Sequence, residues 1–144
     1  MAKIAIESTK KGFPALWESG GGYRNTGDAV IVADKDGQPK RATYIRRRGS
    51  LANAPHALII LEAGDFIIEA HHHREDFTVE IFKALDFEEK DGEMYAVVET
   101  VNRFDRGEWD ADFPEFLETA VQAAVDKATC YHCREPHFVA VETT

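Results

Sequence analysis

Cys130, Tyr131, His132 and Cys133, followed directly by Arg134, Glu135, Pro136 and His137, place both cysteines of the chain in one short stretch with two histidines beside them. Two thiolates at this spacing can chelate a single borderline-soft cation, and zinc is the ion such sets ordinarily take. A redox dithiol fits less well. The pair is expected to follow the C-terminal end of a helix, where the backbone dipole opposes a thiolate, whereas reactive pairs open helices. A disulfide between them would close so small a loop that it would restrain little of the unfolded chain. The cysteines make up half of a tetrahedral set, so the other ligands must come from His132, His137 or a distant segment. Without such ligands they are ordinary, partly buried thiols.

A distant segment of the right chemistry is Glu69-Ala70-His71-His72-His73. On a strand, alternation puts Glu69, His71 and His73 on one face and His72 on the other, with Cα atoms of same-face neighbours about 6.5–7 Å apart. That spacing lets two imidazoles and a carboxylate meet one metal. In one arrangement Cys130 and Cys133 join His71 and His73, or His137 and one histidine of the triplet, in a closed structural zinc site. In the other, Glu69, His71 and His73 hold an open metal whose bound water serves as a hydrolytic nucleophile. A strand simply running out into solvent at Arg74, Glu75 and Asp76 explains the same histidines without a metal.

A third feature is basic. Tyr44, Arg46 and Arg48 share a parity, so one strand face offers two guanidinium groups and a ring to a phosphate or carboxylate. The glycine-rich segment Ser19 to Gly27, which carries Arg24, would add backbone donors to that anion site. A solvated strand edge and a flexible loop are the simpler explanations. The acidic stretch Glu88 to Glu93 lacks the alternating oxygen ligands of a calcium loop and is expected to be a hairpin tip. Asp105, Glu108, Asp110 and Asp112 around Trp109 suit helix capping and solubility. Phe13, Leu16 and Trp17 are expected in a core or interface. No nucleophile elbow, phosphate loop, dinucleotide fingerprint or paired metalloprotease histidines occur, so no catalytic class follows by motif.

The elements that must position these groups follow from patterning. The 144 residues, 44% hydrophobic and 30% charged, match one globular domain able to bury a core without disulfides. No apolar run approaches membrane-spanning length and the first residues lack a secretory signal, so a cytoplasmic protein is expected. Three turns punctuate β-type runs. Asp34 to Pro39 separates Asp28–Ala33 from Arg41–Arg47, Ala63-Gly64-Asp65 separates His56–Leu61 from Phe66–His72, and Lys90 to Glu93 separates a run through Phe77, Val79, Ile81, Leu85 and Phe87 from Met94–Val101. One helix is expected over Phe113 to Ala128, where apolar residues recur at helical spacing, with Asp112 as N-cap, Glu115 as its reciprocal partner and Pro114 in the first turn. A last strand is expected over His137 to Glu142. The fold class is therefore α+β: a mainly antiparallel sheet, as a hairpin meander or partly closed barrel, with one C-terminal amphipathic helix packed on it.

The net charge of −9 is unevenly spread: residues 1–61 carry +5 and residues 62–118 carry −13. Opposite faces of this kind suggest association with an acidic partner or a second copy, weakening with salt. Nucleic-acid binding is disfavoured by the overall acidity. The expected function is a small non-catalytic binding or accessory protein held by zinc at the cysteine knuckle. The alternatives are a metal-dependent hydrolase using Glu69, His71 and His73, and a metal-free interaction domain with a basic strand face.

Overall fold

The structure, a computed structural model, describes residues 2–9, 11–17, 28–47, 55–73, 76–105 and 113–133; at 28, 45–47, 55–56, 72–73, 76–77, 105 and 129–133 it describes the backbone alone. The strands are β1 (Ala2–Ser8), β2 (Pro14–Trp17), β3 (Asp28–Ala33), β4 (Tyr44–Arg47), β5 (Pro55–Ile60), β6 (Phe66–His73), β7 (Asp76–Lys90) and β8 (Glu93–Asp105). A 3-10 turn, Glu115–Leu117, leads into the helix α1 (Glu118–Cys133). All described pairings are antiparallel, in the order β3-β6-β7-β8-β1-β2-β5-β4. The α+β class with one C-terminal helix is thus the observed architecture. Among the described residues no helix is long and apolar enough to cross a membrane.

The sheet is nearly closed into a barrel. Ile4 and Ile6 of β1, Leu16 of β2, Val32 of β3, Ile59 of β5, Ile67 of β6, Phe82 and Phe87 of β7, and Ala96 and Val98 of β8 pack into one core, which a flat sheet of this order would not permit. β1 makes the corner: Ala2 to Ile6 pair with β8, while Glu7 and Ser8 pair with β2. The outer face of β3, β6 and β7 carries a second core, with Ile31, Phe66, Ile68, Val79 and Ile81 covered by Leu117, Ala120, Val121, Ala124 and Ala128 of the helical segment. The small residues Ala120, Ala124 and Ala128 recur every fourth position, and this ridge lets the helix lie close on Ala29, Ala33 and Ala70 of the sheet. Leu16 therefore belongs to the inner core as expected, Trp17 is partly buried and donates its Nε1–H to Glu7 Oε2 at 3.0 Å, and Phe13 stays exposed.

Of the three expected hairpins, only the last forms. Lys90 pairs with Glu93 across Asp91 and Gly92, whose φ angles of 56° and 83° are both positive, as the tightest twisted hairpin turn requires. The turn after β3 is real, with Asp34 Oδ1 accepting from the backbone N–H of Asp36 and Gln38, but it does not join paired strands. It yields a single bridge, Ala33 with Pro39, flanked by the Asp34 N–H to the Gln38 carbonyl and the Lys40 N–H to the Val32 carbonyl. The chain crosses instead from one edge of the sheet, β3, to the other, β4. Gly37 in this turn has φ 87°, and a Cβ there would lie 2.1 Å from the Phe116 carbonyl oxygen, so the turn and the start of the helical segment fit only with glycine. Likewise β5 and β6 are not paired; the Gly64 turn carries the chain between the two halves of the barrel.

The crossing segments tie the edges together. Lys40 lies between them: its N–H reaches the Val32 carbonyl at 2.7 Å, while its Nζ reaches the Ile60 carbonyl and the buried Asp65 carboxylate, each at 2.8 Å. Asp65 Oδ2 also accepts from the Glu62 N–H at 2.8 Å. This ion pair closes the barrel side that no ladder closes.

Two bulges bend the long β7–β8 hairpin, with Leu85 and Val101 as the extra residues. Each reverses the strand's alternation and adds local twist. Val79 and Ile81 accordingly face the helix, whereas Phe87, of the same parity, faces the barrel interior. The single parity of Val79, Ile81 and Phe87 in the sequence thus gives two faces, because Leu85 is an extra residue between Ala84 and Asp86.

The helix differs from expectation at both ends. It begins with a 3-10 turn after Pro114 with no side-chain cap, Phe113 stacking on Phe104 at 5.4 Å; Asp112 lies outside the described residues. It continues past Ala128 to Cys133, so the cysteine pair lies in the last turns of α1 and not after it. No proline interrupts until Pro136. The expected strand His137 to Glu142 lies outside the described residues.

Candidate metal centre

Register and alternation assemble the site. In one row across four adjacent strands, Val30 of β3 faces Glu69 of β6, which faces Glu80 of β7, which in turn faces Arg103 of β8. Val30 packs against the interior core, so this row lies on the inner face, the side away from α1. The next inner row toward the end of the strands contains His71 and Thr78, directly opposite each other. Below, Ile67 and Phe82 begin the apolar interior. The inner face thus changes from hydrocarbon to carboxylate and imidazole within two residues of β6, at the end of the barrel.

Glu69, His71 and Glu80 each offer a ligand atom, and these atoms all lie within 4.8 Å of one another. His71 Nε2 is 3.4 Å from Glu69 Oε1 and 4.0 Å from Glu80 Oε1. Ligand atoms bound tetrahedrally to one zinc ion at about 2.1 Å stand about 3.4 Å apart, so only small side-chain rotations separate the present arrangement from coordination. The side chains are 31%, 25% and 23% exposed for His71, Glu69 and Glu80, which leaves solvent or a small ligand access to the point where they converge. The second oxygen of Glu80, Oε2, faces Arg103 Nη1 at 3.6 Å. Three protein ligands leave a fourth position for water or another molecule, and a bound water there would be acidified by the ion.

Against the sequence expectations, the structure brings together Glu69 and His71 and adds Glu80, which the sequence reading placed in no site. The backbone of His73 stands opposite Asp76 at the end of the same hairpin, and Asp28 stands opposite His71; the side chains of His73, Asp76 and Asp28 lie outside the described residues. Cys130 and Cys133 lie in α1, but their side chains are outside the description, as is His137 altogether. The helix that carries the cysteines packs on the face of β6 holding Phe66, Ile68 and Ala70, the face opposite to Glu69 and His71. Arg46 lies on the edge strand β4 opposite His56, with its side chain outside the description, and Arg24 and Arg48 lie outside the described residues.

Comparison with known protein families, with curated proteins and with solved structures returns no match to this chain. Site chemistry alone therefore bears on function.

Proposed function

We propose that the protein is a small binding protein that holds one divalent first-row metal ion, zinc, at Glu69, His71 and Glu80. The observation that carries this reading is the convergence of three ligand atoms from two strands of one hairpin within 4.8 Å, the one such group among the described residues. The mixed imidazole and carboxylate set suits zinc better than calcium or magnesium, which prefer oxygen alone. A cytoplasmic location belongs to the same reading, supported by a cysteine pair whose spacing favours reduced thiols. A hydrolytic role is the second reading, favoured by the open fourth position and the partial exposure of the three side chains.

The test separates the strand site from the cysteine knuckle. Metal-free protein titrated with zinc in a calorimeter is expected to take up one equivalent at this site. Glu80→Gln and His71→Ala should each weaken that event about tenfold or more, whereas Cys130→Ser with Cys133→Ser should leave it in place. Zinc uptake that disappears with the cysteines and ignores Glu80 would assign the ion to the knuckle instead.

A further inference from the structure

Glu80 uses its two oxygens for different neighbours. Oε1 faces His71 and the point where the metal ligands converge, while Oε2 lies 3.6 Å from Arg103 Nη1. Arg103 is thus one carboxylate away from the ion, on the inner face, and 67% exposed, so most of its guanidinium donors are open to solvent. Among these four side chains, Glu69 and Glu80 balance a divalent ion and Arg103 adds one positive charge, while the acidic positions Asp28 and Asp105 flank the next row of the face through His71 and Thr78. The open fourth position and the guanidinium then lie on either side of the Glu80 carboxylate, and each is a receptor for an anionic oxygen.

From this, and resting on the metal reading above, we infer that the loaded site binds a phosphate-type oxyanion, inorganic phosphate or a phosphate monoester, with one oxygen on the ion and another on Arg103. A tetrahedral oxyanion fits better than a carboxylate because its oxygens diverge and so reach two receptors that Glu80 separates. Without the ion the same pocket holds two carboxylates against one guanidinium and repels anions, so occupancy of the anion site follows occupancy of the metal site. Arg103 here is a ligand-binding residue whose second role is to hold Glu80.

The experiment uses the full chain loaded with cobalt(II), whose visible absorption reports on its coordination, titrated with inorganic phosphate and, separately, acetate. Cobalt uptake is measured first, for wild type and for Arg103→Gln, so that the two binding steps are read independently; circular dichroism checks the fold of the variant. A saturable change in the cobalt bands with phosphate is expected, at least tenfold weaker in Arg103→Gln and partly recovered in Arg103→Lys. Metal-free protein should bind no phosphate. Equal phosphate affinity in wild type and Arg103→Gln, or equal binding to metal-free protein, would overturn the inference while leaving the metal site intact. Acetate binding as tightly as phosphate would overturn the assignment of ligand class, and failure of cobalt to bind would remove both readings.

Discussion

Glu69 and Glu80 are direct cross-strand partners, an arrangement in which like charges destabilise a sheet by a few tenths to about 1 kcal/mol. Arg103 lies close enough to moderate that repulsion, and a divalent ion would reverse it. The sign of one substitution therefore depends on the metal. Glu69→Gln is expected to raise the unfolding temperature in the presence of a chelator, because it removes a like charge. With saturating zinc it should lower the unfolding temperature relative to wild type, because a ligand that binds only the native state contributes about 2.7 kcal/mol at one hundred times its dissociation constant. Thermal melts of both proteins in both conditions read the crossing, and a shift of the same sign in both would exclude Glu69 as a ligand. Two of the three candidate ligands were legible in the sequence. Strand alternation put Glu69 and His71 on one face, but Glu80 belongs to the following strand, and only the register of the hairpin carries it opposite Glu69. The signal was the short separation between His73 and Asp76: once the two runs are paired across it, Glu80 falls into place. Reading Arg74 to Asp76 as an exit into solvent hid that pairing.

Among the elements, the β7–β8 hairpin is the one whose geometry the interior depends on. Leu85 is only partly buried, yet as a bulge residue it sets which face Phe87 presents. Deleting Leu85 should restore simple alternation and force the chain to choose between the β8 register and the interior placement of the partly buried Phe87. The expected loss of unfolding free energy is about 1–2 kcal/mol, below the roughly 1.5–3 kcal/mol of a fully buried large side chain. Leu85→Ala, which keeps the extra residue, should cost less, and chemical denaturation of the two variants decides it. If the deletion cost no more than the alanine, the bulge would have no part in placing Phe87. Bulges of this kind leave no mark in a sequence, because Phe77, Val79, Ile81, Leu85 and Phe87 all keep one parity, with Lys83 as the polar residue among them. The helix was far more legible, since Phe116, Leu117, Ala120, Val121, Ala124 and Ala128 recur at helical spacing. Its last residues were missed because Thr129 to Cys133 continue the backbone hydrogen bonding without continuing the apolar stripe. Hairpin partners were misread for a third reason: turn residues say where a chain reverses, not which strand it then meets.

For the molecule as a whole, closure rests on a small number of contacts where the ladder is open. Lys40 and Asp65 connect the segments that follow β3 and β5, and both are largely buried. Removing one member of a buried pair leaves the other charge without its counterion, at a cost of about 3–5 kcal/mol. Lys40→Met is therefore expected to lower the free energy of unfolding by that order, with no change in the zinc stoichiometry of the folded protein. Urea denaturation measures it, and a loss below about 1 kcal/mol would show that the two edges hold together without the pair. The class of fold was readable from composition and period, whereas the closure was not, since a single lysine and a single aspartate 25 positions apart carry no sequence signature.

The corner strand β1 also sets a timetable for synthesis. Ala2 pairs with Val98 and Ile6 with Met94, so β1 finds its β8 partner only after about ninety further residues have been made. At roughly 5–20 residues per second that is a wait of about 5–20 s, during which Ile4 and Ile6 have no β8 ladder to join and the interior cannot close. Pairings so distant along the chain also slow refolding, because the entropy of closing the large loop is lost before the contact stabilises anything. The nascent chain therefore spends its most vulnerable interval with an apolar strand that shares only Glu7 and Ser8 with its nearest neighbour β2. In the cell, that interval is when a chaperone able to hold a short extended segment would have the greatest effect on yield.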